Sequence, residues 1–308
     1  MRPDASIFVA GHRGMVGSAL VRALRAAGFE NLVLRDRSEL DLARQADVER
    51  FFAQTRPAYV FFAAARVGGI LANDSYPADF LRDNLVIQTN VIDAACRNGT
   101  SKLLFLGSSC VYPRLAPQPI AEESLLTGPL ERTNEWYAIA KIAGIKMCEA
   151  YRRQYGFNAI TAMPTNLYGP QDNFELASSH VLPALLRKFH EAVQRRADSV
   201  EVWGTGTPRR EFLHVDDLAQ ACVFLMRKYD GAGWVNVGWG RDLTIAELAQ
   251  AIGRVVCFKG SIRFDTSKPD GTPRKLLDTS RMTALGWVPR IDLDAGLRST
   301  YDWCLRHW

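Results

Sequence analysis

The chain has 308 residues, of which 47% are hydrophobic, 23% charged and 10% aromatic. This length suits one large domain or two modest ones, and the composition excludes disordered, collagen-like and coiled-coil proteins. Thirty-eight Lys and Arg against 33 Asp and Glu leave a net charge of +5, which permits an anionic small molecule and gives no support for a nucleic-acid partner.

Residues 7–10 predict a first strand. Residues 15–27 predict a helix, with Val16, Leu20, Val21 and Leu24 at helical spacing. Strands follow at 32–34 and 59–62, a helix at 80–95, a strand at 102–106, a long helix at 135–155 and a strand at 159–163. Strands alternating with helices imply an α/β fold, a doubly wound parallel sheet with helices on both faces. Beyond Pro164 the pattern loosens into a smaller α+β lobe. Helices are expected at 182–194 and 215–229, with strands at 200–203 and 234–237. A capping box at Thr244 and Glu247 opens a helix to Val255. Helices at 278–285 and 292–306 close the chain. The expected division is 1–164, rejoined by about 212–240, and 165–308.

The longest apolar stretch, residues 58–65, is far short of the roughly 18 residues of a membrane span. The apolar run at 7–10 is too short for a signal-peptide core, so a cytoplasmic location is expected. Cys96, Cys110, Cys148, Cys222, Cys257 and Cys304 are scattered, with neither zinc nor redox spacing, and no disulfide or metal is expected.

Gly11, Gly14 and Gly17 fall between the first strand and the first helix. Glycines there let the backbone turn tightly against a pyrophosphate resting on the helix N-terminus. A merely structural turn does not explain three in period, so the context predicts a dinucleotide. An NAD site ordinarily ends its second strand with an acidic residue for the ribose 2′-hydroxyl. This chain has Arg35, Asp36 and Arg37 there, and Arg13 inside the glycine turn. Guanidinium groups match a phosphate dianion, so NADP(H) is expected, with Asp36 as the feature that argues for the ribose instead.

Ser108 follows the fourth strand, and Tyr137 and Lys141, four residues apart, share one helix face. A nearby ammonium lowers the pKa of a phenol toward a useful acid–base range. A serine on a neighbouring strand end can hold the same substrate oxygen. With the glycine turn, these make a carbonyl-reducing site. Alone, Tyr-x-x-x-Lys reads equally well as a solvated helix face.

At these residues the chain resembles the extended short-chain dehydrogenase/reductases, and among them the GDP-L-fucose synthases. The resemblance rests on Gly-His-Arg-Gly-Met-Val-Gly (11–17), Ala-Ala-Ala-Arg-Val-Gly-Gly-Ile (63–70), Phe-Leu-Gly-Ser-Ser-Cys-Val-Tyr-Pro (105–113) and Tyr-Ala-Ile-Ala-Lys-Ile-Ala-Gly (137–144). It extends through Met-Pro-Thr-Asn-Leu-Tyr-Gly-Pro (163–170), Arg-Glu-Phe-Leu-His-Val-Asp-Asp (210–217) and Lys-Pro-Asp-Gly-Thr-Pro-Arg-Lys (268–275). It implies a Rossmann domain with a C-terminal substrate lobe. It further implies that C3 and C5 of GDP-4-keto-6-deoxy-D-mannose are inverted and C4 is then reduced with NADPH. A ketone at C4 acidifies the hydrogens on both neighbouring carbons. Ser108 and Tyr137 would hold the enolate oxygen. Inversion needs one group to remove a proton and another to return it on the opposite face. By the resemblance these are Cys110 and His180; read without it, Cys110 is a buried thiol and His180 a helix-start histidine. Reduction comes last, because it destroys the ketone.

The same resemblance places the cofactor against Gly11, Arg13, Gly14, Met15, Val16 and Gly17. It adds Arg37, Asp41, Leu42 and Ala64, then Leu106, Gly107, Tyr137 and Lys141. Pro164, Asn166, Leu167 and His180 complete that set. Lys188, Trp203, Arg210 and Asp270 are expected on the GDP-sugar, with Arg187 as an alternative to Lys188. A homodimer built around the Tyr-x-x-x-Lys helix is expected by analogy. The chain departs from the pattern at Trp136, where the family commonly has proline, and in a short 226–234 stretch. A GDP-L-colitose synthase would use the same cysteine and histidine and stays open, as does, remotely, a non-catalytic NADP-binding regulator. Arg37 and Cys110 argue against a plain 4-epimerase.

Overall fold

The computed structural model describes residues 1–308 apart from Ala177 and Pro269, with the side chains of Ile70 and Leu71 also left aside. The chain begins β1 (Ile7–Ala10), α1 (Met15–Ala26), β2 (Leu32–Val33), α2 (Gln45–Thr55), β3 (Tyr59–Phe62), α3 (Ile70–Ser75) and α4 (Pro77–Arg97). It continues with β4 (Lys102–Leu106), α5 (Glu135–Tyr155), β5 (Ala159–Pro164), β6 (Asn166–Tyr168), α6 (Val181–Gln194) and β7 (Ser199–Trp203). Next come β8 (Arg209–His214), α7 (Val215–Lys228), β9 (Trp234–Val237), β10 (Asp242–Thr244) and α8 (Ile245–Val255). The chain closes with β11 (Ser261–Asp265), β12 (Arg274–Lys275), α9 (Ser280–Ala284) and α10 (Leu293–His307).

Six strands pair in parallel in the order β2-β1-β3-β4-β5-β9. Their apolar runs follow from burial on both faces; every residue of β1, β4 and β5 is buried. Val91, Ile92 and Ile145 of α4 and α5 fill one face, and Leu20, Leu24, Leu218 and Cys222 of α1 and α7 fill the other. The strand order reverses at β1, which has β2 on one side and β3 on the other. This reversal opens a crevice at the carboxyl ends of the strands, where doubly wound sheets place their ligands.

The remaining strands are short. β8 pairs with β6 and β12 in parallel and with β10 antiparallel, while β7 pairs with β11. Leu186, Phe189, Leu248, Ile252 and Leu297 form the core of this lobe. The expected capping box opens α8, with Glu247 N donating to Thr244 Oγ1 at 3.0 Å and Thr244 N to Glu247 Oε2 at 2.7 Å. Glu211, fully buried in the middle of β8, braces the junction of the two regions. Its carboxylate accepts from Gly240 N at 2.7 Å and Leu277 N at 3.0 Å, and its carbonyl from Asn166 Nδ2 at 2.8 Å.

The second strand is shorter than expected, at two residues. The helix expected over 278–285 begins at Ser280, because Asp278 Oδ1 accepts from Ser280 N at 2.8 Å and holds a side-chain turn in its place. None of the described helices is long and apolar enough to cross a membrane.

Candidate active site

A cleft of about 2090 Å³ runs along the carboxyl ends of the large sheet and is walled opposite by residues of α6, β7, β8 and β12. At its cofactor end Gly11 has φ +80°, the left-handed region that glycine enters without strain, and a Cβ there would press on Ala63 O and Ala64 Cα at 3.0 Å. A Cβ on Gly17 would collide with the carbonyl of Gly11. α1 begins at Met15 with no side-chain cap, so its first N–H groups remain for an anion. This cradle fits a dinucleotide pyrophosphate. Arg35 and Arg37 line the cleft beside it, and Arg37 is 88% exposed with Asp41 at 4.0 Å. Of the expected cofactor residues only Arg13 does not line the cleft. Its guanidinium is ion-paired with Asp36, so the acidic residue that argued for a ribose hydroxyl is engaged elsewhere.

Ser108 sits at the end of β4 and caps a short helical turn, Ser109–Val111, its Oγ accepting from Cys110 N at 3.4 Å. The turn keeps serine and cysteine together on the cleft wall. Burial pushes the Cys110 thiol up, opposed by the charge of Lys275 and by Ser108. Tyr137 lines the cleft from α5, its ring edge-on to Phe80. Lys141, 4% exposed, donates to Leu106 O at 2.8 Å and lies 5.8 Å from the centre of the Tyr137 ring. Burial pushes Lys141 down to about 8. It also raises the Tyr137 phenol above its ordinary value. The expected lowering by lysine is therefore absent: the ammonium is bonded to the strand end, and desolvation dominates.

His180 is the N-cap residue of α6, facing the same cleft. Its pKa is lowered, first by desolvation within the cleft and then by Lys275. Toward the lobe, Lys188 lies 4.9 Å over the Trp203 ring and donates to Glu201 O at 3.2 Å. Trp203 is 59% exposed. Arg210 is largely enclosed, which lowers its pKa against the opposing charges of Glu131 and Asp270. Asp270 accepts from Thr205 N at 2.7 Å and Thr205 Oγ1 at 2.8 Å.

The model of the NAD dependent epimerase/dehydratase family matches residues 7–238. GDP-L-fucose synthase 1 of Arabidopsis thaliana is 63% identical over 304 residues, covering 99% of this chain and 94% of the relative. The GDP-L-fucose synthase of Escherichia coli (strain K12) is 57% identical over 311 residues, covering 98% and 97%. The chain belongs to the GDP-L-fucose synthase family. A crystal structure of a GDP-L-fucose synthetase from Naegleria fowleri bound to NADP superposes with a TM-score of 0.92 at 28% identity, covering 100% of this chain and 96% of that one.

Within this family member, Ser108, Cys110, Tyr137, Lys141 and His180 line one cleft with Lys188, Trp203, Arg210 and Asp270. Arg187 does not line it, being paired with Glu191 at 3.0 Å and Glu175 at 3.3 Å. Trp136 is exposed on α5 and stays outside the lining. Sequence reasoning passed over Lys275. It sits on β12 opposite Arg210, and its charge acts on both Cys110 and His180. The signal was present in the 268–275 block, of which Pro269 lies outside the described residues; so does the side chain of Ile70 in the 63–70 block.

Proposed function

We propose that this chain converts GDP-4-keto-6-deoxy-D-mannose to GDP-L-fucose by inverting C3 and C5 and then reducing C4. The observation that carries the reading is the shared cleft: Ser108 and Tyr137, the groups of a ketone reductase, line it together with Cys110 and His180, and Ser108 Oγ accepts from Cys110 N. NADPH, when bound at the glycine cradle, supplies the hydride for C4. Gly11, Gly14, Gly17 and the N-terminus of α1 hold the pyrophosphate, and Arg35 and Arg37 suit the 2′-phosphate.

Ser108 and Tyr137 polarise the C4 oxygen, which makes the C3 and C5 hydrogens removable. Cys110 and His180 take and return those protons. Burial raises the Cys110 thiol while the charge of Lys275 opposes that rise, and desolvation followed by Lys275 lowers His180. Tyr137, protonated at neutral pH, then gives its proton to the C4 oxygen during reduction, with Lys141 behind it. Arg210 and Lys188 meet the GDP diphosphate, and Trp203 offers a flat apolar face. In this reading residues 1–164, rejoined by 212–240, bind the cofactor, and 165–308 bind the sugar nucleotide.

The enzyme works in the cytoplasm as a homodimer. Support for the pairing is the exposed apolar side chains of Trp136, Ile139 and Tyr155 on α5, and sedimentation measurements would test it. The deciding experiment is incubation with GDP-4-keto-6-deoxy-D-mannose and NADPH, with the product analysed by NMR. GDP-L-fucose is expected. Its absence, or turnover only of a substrate lacking the C3 hydroxyl, overturns the reading.

A further inference from the structure

Two stretches of the cleft lining come from opposite sides of the molecule and meet. One is the loop 63–69 that leaves β3 on the cofactor side. The other is the segment 178–180 that enters α6 and ends on His180. A backbone hydrogen bond joins them, with Gly69 N donating to Ser178 O at 2.8 Å. A Cβ on Gly69 would lie 2.8 Å from the carbonyl oxygens of both Ser178 and Ser179. Carbon and a backbone oxygen do not pack that closely, so any side chain at 69 drives the two stretches apart.

The cofactor-side loop is held rigid at the meeting point. Asn73, 5% exposed, donates through Nδ2 to Gly68 O at 2.7 Å and Gly69 O at 3.0 Å. Farther back, Asn84 clasps the same loop, accepting from Arg66 N at 2.9 Å and donating to Arg66 O at 3.0 Å. Phe80, whose carbonyl also accepts from Asn84 at 2.7 Å, sets its ring edge-on to Tyr137 with centroids 6.5 Å apart. One connected frame therefore runs from Tyr137 through Phe80, Asn84 and the loop to Gly69, and across to the segment carrying His180.

We infer that Gly69, backed by Asn73, is a cross-cleft latch that positions His180 against the sugar ring and so sets how completely inversion precedes reduction. The inference rests on the proposed activity. Displacing His180 slows proton return at C3 and C5 but leaves Ser108, Tyr137, Lys141 and the glycine cradle in place. Hydride transfer to C4 then overtakes inversion, and ketone that has kept its original configuration is reduced with the same stoichiometry, one hydride and one proton per alcohol formed.

The test uses Gly69→Ala and Asn73→Ala in deuterium oxide with the keto-sugar nucleotide and NADPH. Deuterium incorporation at C3 and C5 is measured against NADPH oxidation, and the product stereochemistry is read by NMR. Because a displacement near 1 Å can cost about a hundredfold in a positioned step, Gly69→Ala is expected to lower deuterium incorporation per hydride transferred by about tenfold or more, with uninverted alcohol among the products. Asn73→Ala should shift the ratio in the same direction by less, and it decides the matter if Gly69→Ala does not fold. NADPH affinity should fall far less than the exchange-to-reduction ratio, since the glycine turn and the start of α1 are untouched and only the bordering Ala64 and His180 shift. A second readout needs no turnover. The chain has five histidines, and the His180 imidazole, held below its ordinary pKa inside the cleft and near Lys275, should titrate higher in both variants. An unchanged exchange-to-reduction ratio and an unchanged His180 titration in both variants would overturn the latch. A parent enzyme that neither exchanges nor reduces, with His180 shifted as expected in the variants, would overturn the activity and keep the latch.

Discussion

On the sheet side of the cleft, Cys110 and Lys141 are 7% and 4% exposed and stand on or beside strands buried along their whole length. On the lobe side, Trp203 is 59% exposed, and the pair β7–β11 that carries it is half open to solvent. Under the proposed function the contrast follows what each side would do, with His180 reaching the chemistry from α6 on the lobe side. Proton and hydride transfers demand reacting atoms in place to within fractions of an ångström, which close-packed strand ends supply. Under the proposed function the lobe side holds a diphosphate by charge, whose pull falls off gently with distance, so the wall around Trp203 can stay open although Arg210 is enclosed.

The contrast is broken or sharpened by substitutions on either side. The largest effect is expected from Tyr137→Phe, which removes the proposed proton donor to C4 and should slow NADPH oxidation by about 10²- to 10⁴-fold; a near-normal single-turnover rate would break the comparison outright. Cys110→Ser should reduce deuterium exchange at C3 and C5 by about a hundredfold or more, and unchanged exchange would remove the thiol from the inversion. Arg210→Ala, on the lobe side, should raise KM far more than it lowers kcat, with a loss of about 1.5–3 kcal/mol for a charged hydrogen bond; a pure kcat loss would show that the lobe also tunes the chemistry. Because Lys141 is pushed down to about 8, its ammonium is present below that pH and lost above it. The kcat/KM for reduction should therefore fall on the alkaline side of about pH 8, and a profile flat to pH 10 would exclude that role. The smallest effect is expected from Arg37→Ala: an exposed guanidinium is screened by solvent, so the preference for NADPH over NADH should drop by about tenfold or less, which steady-state kinetics with both cofactors resolves.

The same contrast governs what the sequence discloses. The strands at 7–10, 59–62 and 102–106 and the helix at 135–155 are legible because burial on both faces produces unbroken apolar runs and because α5 is long. α2 does not stand out in the sequence although Val48, Phe51 and Phe52 lie at helical spacing and face the core; its polar residues dilute the pattern. β8 hides for a different reason. Its sequence, Arg-Arg-Glu-Phe-Leu-His, reads as charged loop, yet Glu211 is buried because backbone N–H groups from two other segments converge on it. Of the site, the glycine turn and Tyr-x-x-x-Lys follow from local spacing, and Cys110 and His180 from resemblance. Lys275 lies within the 268–275 block, but its effect on Cys110 and His180 shows only once β12 is laid against β8. The Arg13–Asp36 pair likewise depends on where two loops come to rest.

Glu211 has a mechanical consequence. One residue, through its carboxylate and its carbonyl, ties Gly240, Leu277 and Asn166 together where the large sheet hands over to the lobe. Burial raises the cost of its charge, and the backbone donors offset that cost only while all the segments stay put. Such a joint resists bending where it sits, because moving the segment of Gly240 or of Leu277 would leave a buried carboxylate short of a donor.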